Sequence, residues 1–248
     1  MSSPTGNHNF FRPQKKSLWI SLGIVLLTIA VYGQVGHHAF IDFDDYEYIT
    51  ENPHVRTGLT FDNIAKSRRY IQDIAEIVNL IVHMSKPVIA MVNGVAAGAG
   101  FSLALACDLI FCGRAARFSQ SFVRIGLIPD GSATYFLPRT VGLHRAKELM
   151  FTGDVIDAAK AYEIGLVNRL IDDDKLWEET SIFAAQLTRY APVAIGLMKK
   201  ILNQSDKLDL QAGIELETGI QLFCLGTEDH REGVDAFLTK RSPVFKGR

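Results

Sequence analysis

The 248-residue sequence is poor in cysteine. It has three, Cys107, Cys112 and Cys224, which form neither a CxxC pair nor the even, closely spaced set of a disulfide framework. A cystine-stapled secreted scaffold is therefore excluded, and plain core thiols in a reducing compartment are expected. The seven histidines are scattered, with no HExxH and no Cys/His cluster, so no metal site is expected. Excess charge of one sign is also missing: 26 Lys and Arg stand against 27 Asp and Glu, a formal net charge of -1. A chain without a basic footprint has no means of holding a phosphate backbone, so no DNA or RNA partner is expected. No internal repeat is present, which excludes a solenoid.

What is present divides unevenly. Residues 1–16 are polar, carry Pro4, Gly6 and Pro13, and end on Lys15 and Lys16, a disordered leader. Residues 17–36 contain no formal charge, and 20 such residues are about what a helix needs to cross a bilayer core. One transmembrane helix is predicted there, with a removable signal peptide ending near Val31-Tyr32-Gly33 as the alternative. Basic residues precede this run and Asp42, Asp44, Asp45 and Glu47 follow it, so the positive-inside rule puts the remainder outside the cytoplasm. Residues 37–69 read as a linker. Its acidic cluster lacks the spacing of an EF-hand and reads as a solvated surface segment.

From about Arg69 the pattern becomes that of an amphipathic helix, with Ile71, Ile74, Ile77, Val78 and Ile81 at helical spacing. Pro87 and Asn93-Gly94 then bound an apolar run that reads as a buried strand, and the alanine-rich run after Gly100 reads as a helix. A loop of glycine and small residues is expected between them. Unpaired N–H groups at a helix start lie at the positive end of its dipole, so this loop can receive an oxygen that gains negative charge. A tight strand-helix crossing that needs small residues for packing explains the same composition.

Leu109 to Cys112 reads as a second buried strand and Ala116 to Ser119 as an edge or turn. Asp157 is placed to cap a helix from Ala158 to Ile164, Gly165 to end it, and Leu166-Val167 to resume a strand. From Lys175 the pattern is helical: Trp177 to Tyr190, Val193 to Gln204, Leu208 to Leu222, and Glu228 to Thr239 started by Thr227. Residues 70–174 are thus an α/β core and residues 175–248 an all-helical part. In the core, the apolar run Gly126 to Pro129 delivers Asp130 into a glycine-flanked loop. Such a carboxylate can move a proton or can cap the next helix, and position alone puts the cap first.

Residues 70–248 resemble the crotonase family of enoyl-CoA hydratases and isomerases. The motifs that carry the resemblance are Lys-Pro-Val-Ile-Ala-Met-Val-Asn-Gly-Val-Ala-Ala-Gly-Ala-Gly-Phe (Lys86 to Phe101), Ala-Cys-Asp-Leu (Ala106 to Leu109), Ile-Gly-Leu-Ile-Pro-Asp (Ile125 to Asp130), Leu-Pro-Arg-Thr-Val-Gly (Leu137 to Gly142) and Thr-Glu-Asp-His-Arg-Glu-Gly-Val-Asp-Ala-Phe-Leu (Thr227 to Leu238). Before them, Phe-Ile-Asp-Phe-Asp-Asp (Phe40 to Asp45) and Thr-Glu-Asn-Pro-His-Val (Thr50 to Val55) are similar to the N-terminal anchor of bacterial membrane proteins with glycosyltransferase-like or tetratricopeptide-repeat regions. The fold class implied is α/β: a crotonase-like spiral of ββα units lacking its N-terminal portion, with a C-terminal all-helical part used for trimer or hexamer contacts, preceded by one transmembrane helix.

The resemblance implies an acyl-CoA thioester as substrate, with coenzyme A belonging to that substrate and no separate cofactor. It places the N–H of Ala99, between Gly98 and Gly100, as an oxyanion donor. The two glutamates of family hydratases match Ser102 and Phe122, neither of which is a base, whereas Asp130 matches the single acid of the isomerase-like branch that includes the epoxyphenylacetyl-CoA isomerase type. Proton removal alpha to the thioester and double-bond isomerisation is the activity implied. A complete family member carries its other oxyanion donor in an earlier strand-rich portion, to which residues 1–69 offer no equivalent. The alternatives are an inactive crotonase-like binding or oligomerisation module on a membrane anchor, and a fusion of gene fragments. Use of acyl-CoA would place the core in the cytoplasm, against the charge pattern.

Overall fold

Ile74, Val78 and Ile81 form the buried face of helix α1 (Phe61–His83) in the computed structural model, which describes residues 61–248. Ile71, in register with them, stays exposed. The helix begins eight residues before Arg69, where periodicity makes it visible. The leader, the span at 17–36, the anchor-like strings and the linker up to residue 60 lie outside the described residues. Among the described residues no helix is long and apolar enough to cross a membrane.

Two three-stranded sheets follow. Strand β1 (Ile89–Val92) leads to β2 (Val95–Ala97), helix α2 (Ala99–Ala106), β3 (Leu109–Gly113) and β4 (Arg117–Ser119). The connection from β1 to α2 is thus not the single small-residue loop expected. Val95 to Ala97 pair with Arg117 to Ser119 in a second sheet, a long-range contact that local composition does not show. Likewise Arg117 to Ser119 is no edge. It is the middle strand between β2 and β5 (Ile156–Asp157), and β5 offers only two residues of local signal. In the first sheet β3 lies between β1 and β6 (Arg169–Ile171), all parallel. Leu166 and Val167, expected to open that strand, are buried in the core, and the ladder starts only after Asn168. Asn168 exchanges two bonds with Ile110: its N–H donates to the Ile110 carbonyl at 2.8 Å, and its Oδ1 accepts the Ile110 N–H at 2.7 Å.

The core sits between the sheets and α2. Phe101 and Phe118 meet with ring centroids 5.4 Å apart, and Val92, Ala96, Leu137 and Leu166 close around them. Helix α2 buries Phe101, Ser102, Ala104, Leu105 and Ala106, residues from around most of its circumference, which is why it is built of small and apolar residues. Helices α3 (Ala133–Val141) and α4 (Leu143–Thr152) precede β5. Helix α5 (Ala158–Glu163) starts as expected, with Asp157 Oδ1 accepting the Lys160 N–H at 2.8 Å.

The helical part comprises α6 (Leu176–Leu187), α7 (Pro192–Leu202), α8 (Leu210–Leu225) and α9 (Glu228–Leu238), the last capped by Thr227 as expected. Its seam with the core is polar. Lys199 Nζ donates to the carbonyls of Ile81 (2.8 Å) and Lys86 (3.1 Å) and to Asp108 Oδ2 (2.7 Å), while Asn203 Nδ2 donates to the Val82 carbonyl at 3.0 Å. Lys199 of α7 and its C-cap residue Asn203 thereby satisfy carbonyls that the C-terminus of α1 leaves open, and the ammonium meets the negative end of its dipole. At Gly196, one turn earlier, a Cβ would fall 2.6 Å from the Ser85 carbonyl oxygen, so the backbones touch there. Gly196→Ala is expected to force α7 away from this seam and lower the urea midpoint; an unchanged midpoint would show that the seam gives way freely.

Candidate active site

Gly98 turns the chain from β2 into α2. Its φ of +52° lies in the region that favours glycine. Its N–H donates to the Ser119 carbonyl at 2.9 Å, which ties the turn to β4, and its own carbonyl accepts the Ser102 N–H at 3.0 Å. That is the first bond of the helical ladder, so the N–H groups of Ala99 and Gly100 precede it at the positive end of the dipole. Gly98 is buried, and Ala99 and Gly100 are half-buried.

The two positions matched to hydratase glutamates meet at this turn. Ser102 is fully buried and its hydroxyl donates to the Gly98 carbonyl at 3.1 Å. The Phe122 ring, on the 3-10 turn Ser121–Ile125, lies 3.6 Å from where a Cβ on Gly98 would stand. A hydroxyl turned back on the backbone and a phenyl ring supply no base.

Asp130 approaches the same turn from the next loop. Its neighbour Gly131, at φ +55°, lies so close to α2 that a Cβ there would be 2.8 Å from Ser102 Cβ and 3.3 Å from Ile74 Cγ2. Asp130 therefore follows the backbone that packs on the first turn of α2. Its Oδ1 is buried with no hydrogen-bond partner. Burial raises the carboxyl above the usual carboxylate range, and a hydrogen bond from its own backbone N–H partly opposes the shift. The cap role favoured by position alone is not what the side chain does. Ser132 occupies the N-cap of α3, no side chain caps that helix, and it is the Asp130 carbonyl that accepts the Ala133 N–H at 3.1 Å.

Two buried polar residues escaped sequence reasoning. Lys199 reads as one of two adjacent lysines on a helix surface, and only tertiary contact reveals its role. Gln120, between two serines, reads as loop. It is fully buried next to the strand that holds Gly98, and neither amide atom has a partner. An unsatisfied buried polar group costs about 1–3 kcal/mol, and an apolar replacement of like shape can be neutral or stabilising. Gln120→Leu is therefore expected to raise the urea midpoint, and a fall would show that the amide is engaged in solution.

The cysteines are free, and burial pushes the thiols of Cys107 and Cys112 up to about 12 and about 11, so both are protonated at neutral pH and neither is a nucleophile. Among the described residues no group of three or more His, Cys, Asp and Glu is placed to hold a metal ion. A cavity of about 1020 Å³ lies away from Asp130, between α7, α8 and α9.

Residues 57–248 match the family model for enoyl-CoA hydratase/isomerase. The chain is 39% identical over 172 residues to 1,2-epoxyphenylacetyl-CoA isomerase of Escherichia coli (strain K12), covering 69% of this chain and 66% of the relative. It is 40% identical over 164 residues to 2,3-dehydroadipyl-CoA hydratase of the same organism, covering 66% of this chain and 64% of the relative. The chain thus spans just under two thirds of the length of these curated relatives. Among solved structures, enoyl-CoA hydratase from Bacillus anthracis superposes with a TM-score of 0.74 at 32% identity, covering 78% of this chain and 74% of the other. With the spiral of paired strands and helices, the glycine turn and the matched motifs all on one stretch, the chain belongs to the enoyl-CoA hydratase/isomerase family.

Proposed function

We propose that this protein isomerises the double bond of an enoyl-CoA thioester. Asp130 takes a proton from the carbon alpha to the thioester carbonyl of a 3-enoyl-CoA, the electron pair moves onto the carbonyl oxygen, and the N–H of Ala99, flanked by Gly98 and Gly100, receives that oxygen. Return of the proton to the gamma carbon gives the 2-enoyl-CoA, with no atom gained or lost. The observation that carries this reading is the buried, unpartnered Oδ1 of Asp130, on the loop that packs against the first turn of α2. A carboxyl raised by burial is a better proton acceptor than an ordinary one. Hydration is the weaker reading, because Ser102 and Phe122 cannot activate water. Helix α8, with no buried residue and with Leu210, Leu222 and Phe223 exposed, supports assembly into a homo-oligomer as part of the same proposal.

Ala99→Pro tests the oxyanion role with little collateral change. Ala99 is the first residue of α2, where proline is tolerated because the N–H has no helical partner. The variant should keep its helical circular dichroism and lose about 10²- to 10³-fold in kcat on a 3-enoyl-CoA. Unchanged turnover would overturn the assignment of Ala99.

A further inference from the structure

Ser102 closes the first turn of α2, and its side chain is fully buried, out of reach of a substrate. Its hydroxyl acts on the candidate site through the backbone. A serine that donates back to the carbonyl four residues earlier is a familiar feature of helices. Here that carbonyl belongs to Gly98, and the other end of the same peptide is the N–H of Ala99. The peptide is planar and trans, so its carbonyl and its N–H point in opposite directions. Ser102 donates to the Gly98 carbonyl twice, from its N–H at 3.0 Å and from its hydroxyl at 3.1 Å. Both bonds hold the carbonyl along α2. The Ala99 N–H is thereby held pointing off the N-terminal end of the helix.

The same side chain meets the loop that carries the carboxylate. A Cβ on Gly131, the residue after Asp130, would stand 2.8 Å from Ser102 Cβ, so that loop rests on Ser102 itself. We infer that Ser102 is a positioning residue for the oxyanion donor, its hydroxyl fixing and polarising the Gly98–Ala99 peptide. The inference rests on Ala99 as that donor. A peptide whose carbonyl accepts a second hydrogen bond is polarised further, by about 10–30% per bond, and its N–H becomes a better donor. The gain is largest when the bound oxygen carries most charge, in the enolate and not in the resting thioester. Loss of the hydroxyl should therefore show in kcat more than in KM.

The test compares Ser102→Ala with Thr218→Ala in the full chain. Thr218 makes the same kind of bond, from Oγ1 to the Ile214 carbonyl at 2.7 Å, on α8, where no donor peptide is at stake. Alanine favours helix, and Gly98 keeps its backbone bond from position 102, so Ser102→Ala should retain its circular dichroism. Its kcat on a 3-enoyl-CoA should fall about twofold to tenfold, the worth of one ordinary hydrogen bond, with KM little changed. Hexanoyl-CoA labelled with ¹³C at the thioester carbonyl has no double bond to isomerise and reads the donor without turnover. Its resonance should move downfield on binding to the unaltered protein and move less on binding to Ser102→Ala. Thr218→Ala should match the unaltered protein in both measurements. Unchanged kcat and an unchanged resonance in Ser102→Ala overturn the inference, as does a loss confined to KM or an equal loss in Thr218→Ala. Ala99→Pro separates the two readings. If it abolishes the downfield movement while Ser102→Ala leaves it intact, the donor stands and Ser102 falls. If the movement survives in Ala99→Pro, or is absent from the unaltered protein, Ala99 falls and the inference with it.

Discussion

Asp130→Asn is expected to lower kcat for 3-enoyl-CoA isomerisation by about 10²- to 10⁴-fold, the usual contribution of one positioned general base. The same substitution should leave the folded protein as stable at neutral pH as before, or more so. The sign follows from the direction of the shift: burial raises the carboxyl, so the folded state holds that proton more tightly than the unfolded state does. Ionisation then costs folding free energy, a cost absent below the ordinary carboxylate range and fully present above the raised value. The neutral amide removes it. For the unaltered protein the acid limb of the pH–rate profile should fall above the ordinary carboxylate range, since the proposed base works only when ionised. Turnover by the asparagine variant equal to that of the unaltered protein would end the role of Asp130. A large loss of stability would instead identify the carboxylate as structural.

The largest effect on stability is expected at Lys199. Its side chain is 6% exposed, and its ammonium holds two backbone carbonyls and Asp108, whose Oδ2 also accepts the Val88 N–H at 2.7 Å. Lys199→Met fills the space but leaves Asp108 without its counter-charge and Ile81 and Lys86 without a donor. Removing one member of a buried pair costs about 3–5 kcal/mol, much of it the desolvation of the charge left behind. Urea unfolding should show a destabilisation of that order. Lys199→Met combined with Asp108→Asn should recover part of it, because the amide oxygen can still accept from Val88 without carrying charge. If the double variant is as unstable as the single, the two substitutions are coupled through packing.

Both predictions concern residues that local pattern treats differently. Asp130 stood out in the sequence because apolar residues and glycine surround it, although position alone favoured a helix cap. Only the distances decide: the cap site belongs to Ser132, and Gly131 carries the loop onto Ser102. Lys199 had no signal, since its partners are about 90 or more positions away in the chain. Strands show the same division. β1 and β3 were visible as apolar runs, whereas β2 depends on pairing across about 20 residues and the central place of β4 on pairing with β5 across about 40.

From sequence alone come the α/β order with helices at the end, the caps at Asp157 and Thr227, the glycine turn before α2 and the family motifs. Each is written in neighbouring residues, where backbone conformation and hydrogen-bonding choices are local. Tertiary structure decided that Ser102 and Phe122 close on Gly98, that one oxygen of Asp130 is buried without a partner, and that Gln120 and Lys199 lie inside. Burial and desolvation are properties of everything packed around a group, so no short stretch of sequence contains them.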